Sequence, residues 1–215
     1  MHYKPHPRLQ SVMNKIREHK KPYEVNVLGK KIVVYPGVLS PRYNPSARFY
    51  IENIPSQKDK TVLEVGCGCG VISLLIALNG VGNIIAVDIN PIAVENTVEN
   101  CKMYNIDNAT VLQSDLFENI DGKFDSIIFA APYYGNKPTD LLECAVSDYN
   151  YNTLEVFLNN AKSFLKPNGS IFLGFSDTGD TDLLKKVVTE NKYVITGFFE
   201  KAFSDWKAQL YVLQL

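Results

Sequence analysis

Apolar residues fall into two regimes along the chain. Up to about residue 55 they recur at helical or alternating spacing. Beyond Lys60 they gather into short continuous runs. Leu9, Val12, Met13 and Ile16 share one face over residues 8–20, which predicts a short amphipathic helix. Glu24–Leu28 and Lys31–Tyr35 flank Gly29-Lys30 and predict a small hairpin. Pro36-Gly37 and Pro41 punctuate a loop, and Ser46 is placed to cap a helix running to about Ile54, ended by Pro55.

From Lys60 the pattern becomes strand–helix alternation. Strands are predicted at Thr61–Val65, Asn83–Val87, Thr110–Gln113, Ser126–Phe129, Ser170–Phe175, Val194–Phe199 and Gln209–Leu213. Between them, helices are predicted at Val71–Asn79, from Pro91, at Thr153–Leu165 and at Asp182–Glu190. Asn90 is a capping residue and Pro91 occupies the favoured first helical position. The early strands are continuously apolar rather than alternating, as expected where helices cover both faces of a parallel sheet. The chain therefore divides into an N-terminal helix and hairpin over residues 1–55 and an α/β domain over residues 56–215.

Composition changes this picture little. With 215 residues, 46% hydrophobic and 21% charged, the chain suits one α/β domain with an appendage. The longest clearly apolar stretch, Val71 to Leu78, is far shorter than the about 20 residues a bilayer requires. The N-terminus MHYKPHPRLQ is polar and proline-broken, unlike a secretory signal, so a cytoplasmic protein without membrane contact is expected. Cys67, Cys69, Cys101 and Cys144 show no paired ligand spacing, and no metal is expected. Net charge is −1, but residues 1–31 hold eight Lys/Arg against Glu18 and Glu24, a balance of +6 that leaves −7 over the rest. A basic arm of this kind is either a solvated surface helix or a contact for RNA phosphate or an acidic partner.

The informative stretch is Glu64-Val65-Gly66-Cys67-Gly68-Cys69-Gly70, between the first domain strand and its helix. Such a turn lets backbone approach a ligand, with helix-end N–H groups facing it. The glycines at 66, 68 and 70 give GxGxG, and Val71 stands where the dinucleotide pattern GxGxxG has its third glycine. Glu64 would sit awkwardly beside a pyrophosphate but suits a ligand carrying positive charge. Asp88, ending the next strand, either accepts both ribose hydroxyls of an adenosine or merely caps the helix at Pro91. Asp115, in Ser114-Asp115-Leu116 after the following strand, can accept from an adenine amino group. Three such signals in order, at the carboxyl ends of three successive strands, point to S-adenosylmethionine. The expected cofactor-binding set is Glu64, Gly66, Cys67, Gly68, Gly70, Asp88, Ile89, Asp115, Leu116 and Ala130.

These residues resemble the class I S-adenosylmethionine-dependent methyltransferases, from roughly Lys60 to the C-terminus. The resemblance implies a Rossmann-like α/β fold, with a mostly parallel seven-stranded sheet and helices on both faces. Residues 25–54, with Val38-Leu39-Ser40-Pro41-Arg42, look like the hairpin and VLxPR loop of release-factor glutamine methyltransferases and their RNA-modifying relatives. That group carries Asn-Pro-Pro-Tyr after its fourth strand. The Asn side chain and a following carbonyl accept hydrogen bonds from the target amino group. Here the matching residues are Ala130-Ala131-Pro132-Tyr133. The carried-over catalytic positions are Ala131, Pro132 and Tyr133, while Ala130 cannot supply the asparagine's hydrogen bond.

Methyl transfer from a sulfonium depends largely on positioning, and the neutral leaving group needs no acid. His2, His6 and His19 all lie in the basic arm, so a histidine base requires His19 to fold over the site. Asn136 is a candidate for the missing amide oxygen. Asp148, Tyr149 and Tyr151 are candidates for the same rim, and Trp206 and Phe203 for core or rim. Tyr133 either stacks on a planar acceptor or packs on the cofactor. The leading expectation is methylation of a nitrogen on RNA or protein. A small-molecule methyltransferase and a non-catalytic cofactor-binding subunit are the alternatives.

Overall fold

The computed structural model describes residues 7–215; Lys4, His2 and His6 lie outside them. Helix α1 (Pro7–Glu18) buries Leu9, Met13 and Ile16. Strands β1 (Tyr23–Val27) and β2 (Lys30–Val34) pair antiparallel, with Val27 opposite Lys30. The two-residue turn is thus Leu28-Gly29, one position earlier than predicted. Both residues have positive φ (50° and 78°), the geometry whose twist suits a tight hairpin.

Helix α2 (Ser46–Asn53) begins at Ser46, but Pro45 holds the cap position and no side chain caps it. The predicted Ser46 cap is therefore corrected: Ser46 is already inside the first turn.

Strand β3 (Thr61–Val65), helix α3 (Val71–Leu78), strand β4 (Asn83–Asp88) and helix α4 (Pro91–Met103) follow as predicted to within a residue. Asn90 caps α4 by accepting from Ile92 N at 3.0 Å. After β5 (Ala109–Gln113) and β6 (Phe124–Ala130) come two pieces the pattern did not predict. These are the four-residue helix α5 (Leu141–Cys144) and a 3-10 turn at Tyr149–Tyr151. Helix α6 (Asn152–Ala161) ends four residues before the predicted Leu165, because Leu165 already pairs with Phe124 as the start of β7 (Leu165–Ser176). Between Leu165 and Ser170 the Lys166-Pro167-Asn168-Gly169 segment bulges out of register. Helix α7 (Thr181–Glu190), β8 (Val194–Ala202) and β9 (Lys207–Gln214) complete the fold.

The large sheet has the order β5-β4-β3-β6-β7-β9-β8, parallel except for β9. Progression runs outward from β3 to β5, then reverses to β6 on the other side. Ligands bind outside the carboxyl ends of strands at such a reversal. Leu63, Ile127, Leu173 and α6 build the core on one face, which α1 joins through Met13 and Ile16. Val62, Ile128, Phe172 and α2 build the other. The hairpin packs its Val25, Ile32 and Val34 on α3. Its β2 backbone is also held by Asn96 and Asn100 of α4: Val33 N donates to Asn100 Oδ1 at 2.9 Å and Tyr35 N to Asn96 Oδ1 at 2.8 Å.

Candidate active site

A cavity of about 640 Å³ opens at the carboxyl ends of β3, β4 and β6. The loop after β3 is lashed to β4 by its own backbone. Gly66 N and Cys67 N both donate to Val87 O, at 2.8 and 2.9 Å. Asp88 completes the lashing: one carboxylate oxygen accepts from Gly68 N at 2.8 Å and the other from Asn90 N at 2.9 Å. Burial raises the Asp88 pKa, and the N–H groups of Asn90 and Gly68 oppose that shift. Each oxygen keeps capacity for a further donor facing the cavity. Gly66 and Gly68 have φ of 73° and 59°, and a β-carbon at Gly68 would stand in open space.

The third glycine behaves differently. At Gly70 (φ 77°) a β-carbon would stand 2.8 Å from Thr97 Cγ2, so this glycine lets α4 close on the loop. Gly70 lines neither cavity, in contrast to its expected cofactor role. Ile89 and Leu116 supply apolar wall to the large cavity, and Asp115 lines it with an exposed carboxylate. Pro132 lines it as well.

A smaller cavity of about 90 Å³ shares Gly66, Gly68 and Ala130 with the large one. Glu64, Cys67, Ala131 and Tyr133 line it. Glu64 is buried and accepts a hydrogen bond from Ser73 Oγ. Burial pushes its pKa up to about 8, opposed by Ser73, so near neutral pH it carries a proton until a cation approaches. Burial likewise pushes Cys67 well above its ordinary value and Cys69 to about 12, which keeps both thiols protonated.

Tyr133 is buried among aromatic rings. Its ring lies nearly parallel to Trp206 at 6.3 Å, and Phe203 stacks on Trp206 at 4.6 Å. The Arg8 guanidinium also sits 4.6 Å from the Trp206 ring. Tyr151 is buried behind this stack, with its hydroxyl donating to Tyr133 O at 3.2 Å and accepting from Asp180 N at 2.9 Å. Asp148 lines the large cavity, and its carboxylate also caps the start of α6 by accepting from Thr153 N and Leu154 N. Tyr149 is exposed and lines the large cavity.

Asn136 does not replace the missing asparagine: its amide donates to Ser147 Oγ at 3.2 Å and it lines neither cavity. His19 stacks on Tyr23 at 3.7 Å and bonds Tyr43 Oη at 2.8 Å, away from both cavities. The basic arm is partly neutralised within the chain. Arg8 pairs with Asp205, Arg17 with Asp140 and Glu143, and Lys31 with Glu24. Sequence reasoning missed the contribution of Asn44 and Tyr50 to the smaller cavity and of Pro138 and Leu141 to the larger. The VLSPR loop was the available signal for Asn44; nothing marked α5.

A reversed parallel sheet, a glycine loop bound to an acidic strand end and an adjoining apolar cavity define a class I methyltransferase, whose cofactor is S-adenosylmethionine. Residues 30–197 match the model of the methyltransferase small domain, and the chain belongs to that family. A Methanocaldococcus jannaschii protein provisionally named a protein N5-glutamine methyltransferase is 35% identical over 173 residues, 76% of this chain and 85% of the relative. The ribosomal RNA small subunit methyltransferase C of Pseudoalteromonas translucida is 32% identical over 160 residues, 73% of this chain but 44% of the relative. Among solved structures, the T. thermophilus 16S rRNA N2 G1207 methyltransferase, in complex with AdoMet and guanosine, matches with a TM-score of 0.65 at 20% identity. That match covers 89% of this chain and 50% of the other. No helix among the described residues is long and apolar enough to cross a membrane.

Proposed function

We propose that this enzyme methylates a planar nitrogen on a macromolecule, and that a protein side-chain amide is the acceptor. The observation that carries the cofactor reading is the Asp88 carboxylate held on Gly68 N at 2.8 Å at the edge of a large, partly apolar cavity. Asp88 would take the ribose hydroxyls, Ile89 and Leu116 the adenine faces, and Asp115 an adenine amino group. Glu64, Gly66, Cys67 and Gly68 would take the methionine half, with Gly70 supporting the loop from behind. When bound, S-adenosylmethionine would supply an electrophilic methyl to the acceptor nitrogen's lone pair, with the C–S electron pair left on sulfur and the nitrogen's proton passing to water.

Ala131 and Pro132 would offer main-chain carbonyls beside Ala130, and Tyr133 holds that turn through its stack on Trp206. No described histidine reaches the site, so positioning rather than a strong base carries the rate. A protein acceptor is favoured over RNA by the internal pairing of the arm's arginines. The relative provisionally named a protein methyltransferase, 85% covered, points the same way. The RNA reading retains one support, the 32% identity to an rRNA methyltransferase.

The test is transfer of labelled methyl into a cell extract fractionated into protein, RNA and small metabolites, with Asp88→Ala as control. Label in protein, absent with the variant, is expected. Label in RNA that falls steeply with salt would replace the protein reading. Label confined to metabolites would overturn both.

A further inference from the structure

The large sheet ends in strand β8, which pairs only with β9. Its outward N–H and C=O groups have no partner among the described residues. Such an edge is a template for another strand, and native proteins blunt it by shortness, lysine, proline or a bulge. The opposite edge, β5, is five residues long. Strand β8 is nine residues long, and all of them but Gly197 are exposed. Val194, Phe198 and Phe199 are 59%, 49% and 40% exposed. The blunting features, a bulge between Ile195 and Gly197 and the lysine at Lys201, lie to either side of Phe198-Phe199 and leave that pair open.

We propose that this edge is a dimer interface, in which β8 pairs antiparallel with β8 of a second copy about a two-fold axis at Phe198. The strand is complementary to itself. Centred on Phe198, the pairing sets Gly197 opposite the partner's Phe199, so the residue without a side chain leaves room for a ring. Phe198 meets its own copy, a cross-strand aromatic pair of the kind that stabilises sheets. Thr196 falls opposite the partner's Glu200. Glu200 and Lys201 cancel, so no block of like charge meets itself. Closed two-fold pairs of this type are the commonest form of oligomer.

The two rings carry both cores outward to the edge. Phe198 lies 4.9 Å from the ring of Tyr211, which belongs to the core around Leu173. Phe199 stands opposite Leu210, which belongs to the core around Phe172. Joining two edges makes one sheet from two seven-stranded halves, with each core continuing across the axis. A nine-residue strand runs about 30 Å, and with side chains on both faces it offers on the order of 600 Å² per chain. A pair then buries about 1,200 Å², the lower end for a specific interface. Strand β8 runs parallel to β7 and β6, so the axis leaves the two cavities opening in opposite directions, each with its own access.

Analytical ultracentrifugation tests the association. The unaltered 24.1 kDa chain should sediment as a dimer above about 10 µM and dissociate on dilution, as suits an interface of this size. Phe198→Glu sets like charges against each other across the axis, and Phe199→Glu removes the ring that fills the gap at Gly197. Each should weaken association at least about tenfold while remaining folded in a thermal melt. Cysteine trapping tests the register. Under mild oxidation Phe198→Cys should form a disulfide between chains, because residues facing each other across the axis have Cα atoms about 5 Å apart. Val194→Cys, about 26 Å from its own copy, should not. The unaltered chain, with its four native cysteines, gives the background. A chain that stays monomeric at about 100 µM would overturn the proposal. So would a dimer untouched by both glutamate variants, or a disulfide formed equally by both cysteine variants.

Discussion

The cofactor side and the acceptor side of the cavity are assembled by different means. On the cofactor side, Gly66, Cys67 and Gly68 are fixed by Val87 O and Asp88 across adjacent strands within 25 residues of chain. On the acceptor side, the Ala130–Tyr133 turn is backed by Trp206 from the C-terminal hairpin and Arg8 from α1, and faced by Asn44 from the N-terminal loop. A local, backbone-held site tolerates little change in residue type. A site gathered from four distant segments is open to change at any one of them while the others still hold the turn.

The largest expected effect strikes the cofactor side. Asp88→Ala removes the carboxylate that binds Gly68 N and Asn90 N and is assigned to the ribose. Two charge-assisted hydrogen bonds imply a loss of about 100-fold or more in S-adenosylmethionine affinity, read by calorimetry. The acceptor side is struck separately at Gly174, which pairs with Ala130. A β-carbon there would stand 2.5 Å from Tyr50 Cζ. Gly174→Ala should cost about 1–3 kcal/mol in a thermal melt while cofactor affinity changes less than about threefold. A joint loss of affinity would show that the two sides are not separable.

Glu64 lies where the sides meet. Its raised pKa means the stability it contributes is full below about 4.5 and is lost as pH rises through about 8. Glu64→Gln should flatten this part of the stability–pH curve. A cationic amino group beside Glu64 favours its ionised form, so cofactor binding near pH 7 should release up to about one proton. Calorimetry in buffers of different ionisation enthalpy reads that release, and the Gln variant should lose it. The smallest effect belongs to the arm: Arg17→Ala breaks half-exposed pairs to Asp140 and Glu143 and should cost under about 1 kcal/mol of stability.

The same contrast governs what the sequence disclosed. The glycine loop, Asp88 and the Asn90-Pro91 helix start were legible because short-range spacing and backbone geometry dictate them. Continuous apolar runs such as Ile84-Ile85-Ala86-Val87 marked strands buried on both faces. Helix α5 was illegible because four residues carry no period. Phe164-Leu165 extended the α6 pattern falsely, since an apolar pair at a helix end also suits the strand it actually joins. Asp148 and Tyr133 were legible as residue types but not as roles. Only the fold shows that one caps α6 and the other stacks on a tryptophan 73 residues away.

The central claim is that S-adenosylmethionine binds across the Gly68–Asp88 contact. Calorimetric titration of the cofactor into the unaltered chain and into Asp88→Ala, both confirmed folded by thermal melt, tests it most directly. The account predicts one cofactor per chain for the first and a loss of about 100-fold or more for the second. Equal binding by both proteins, or none by the unaltered chain, would contradict it.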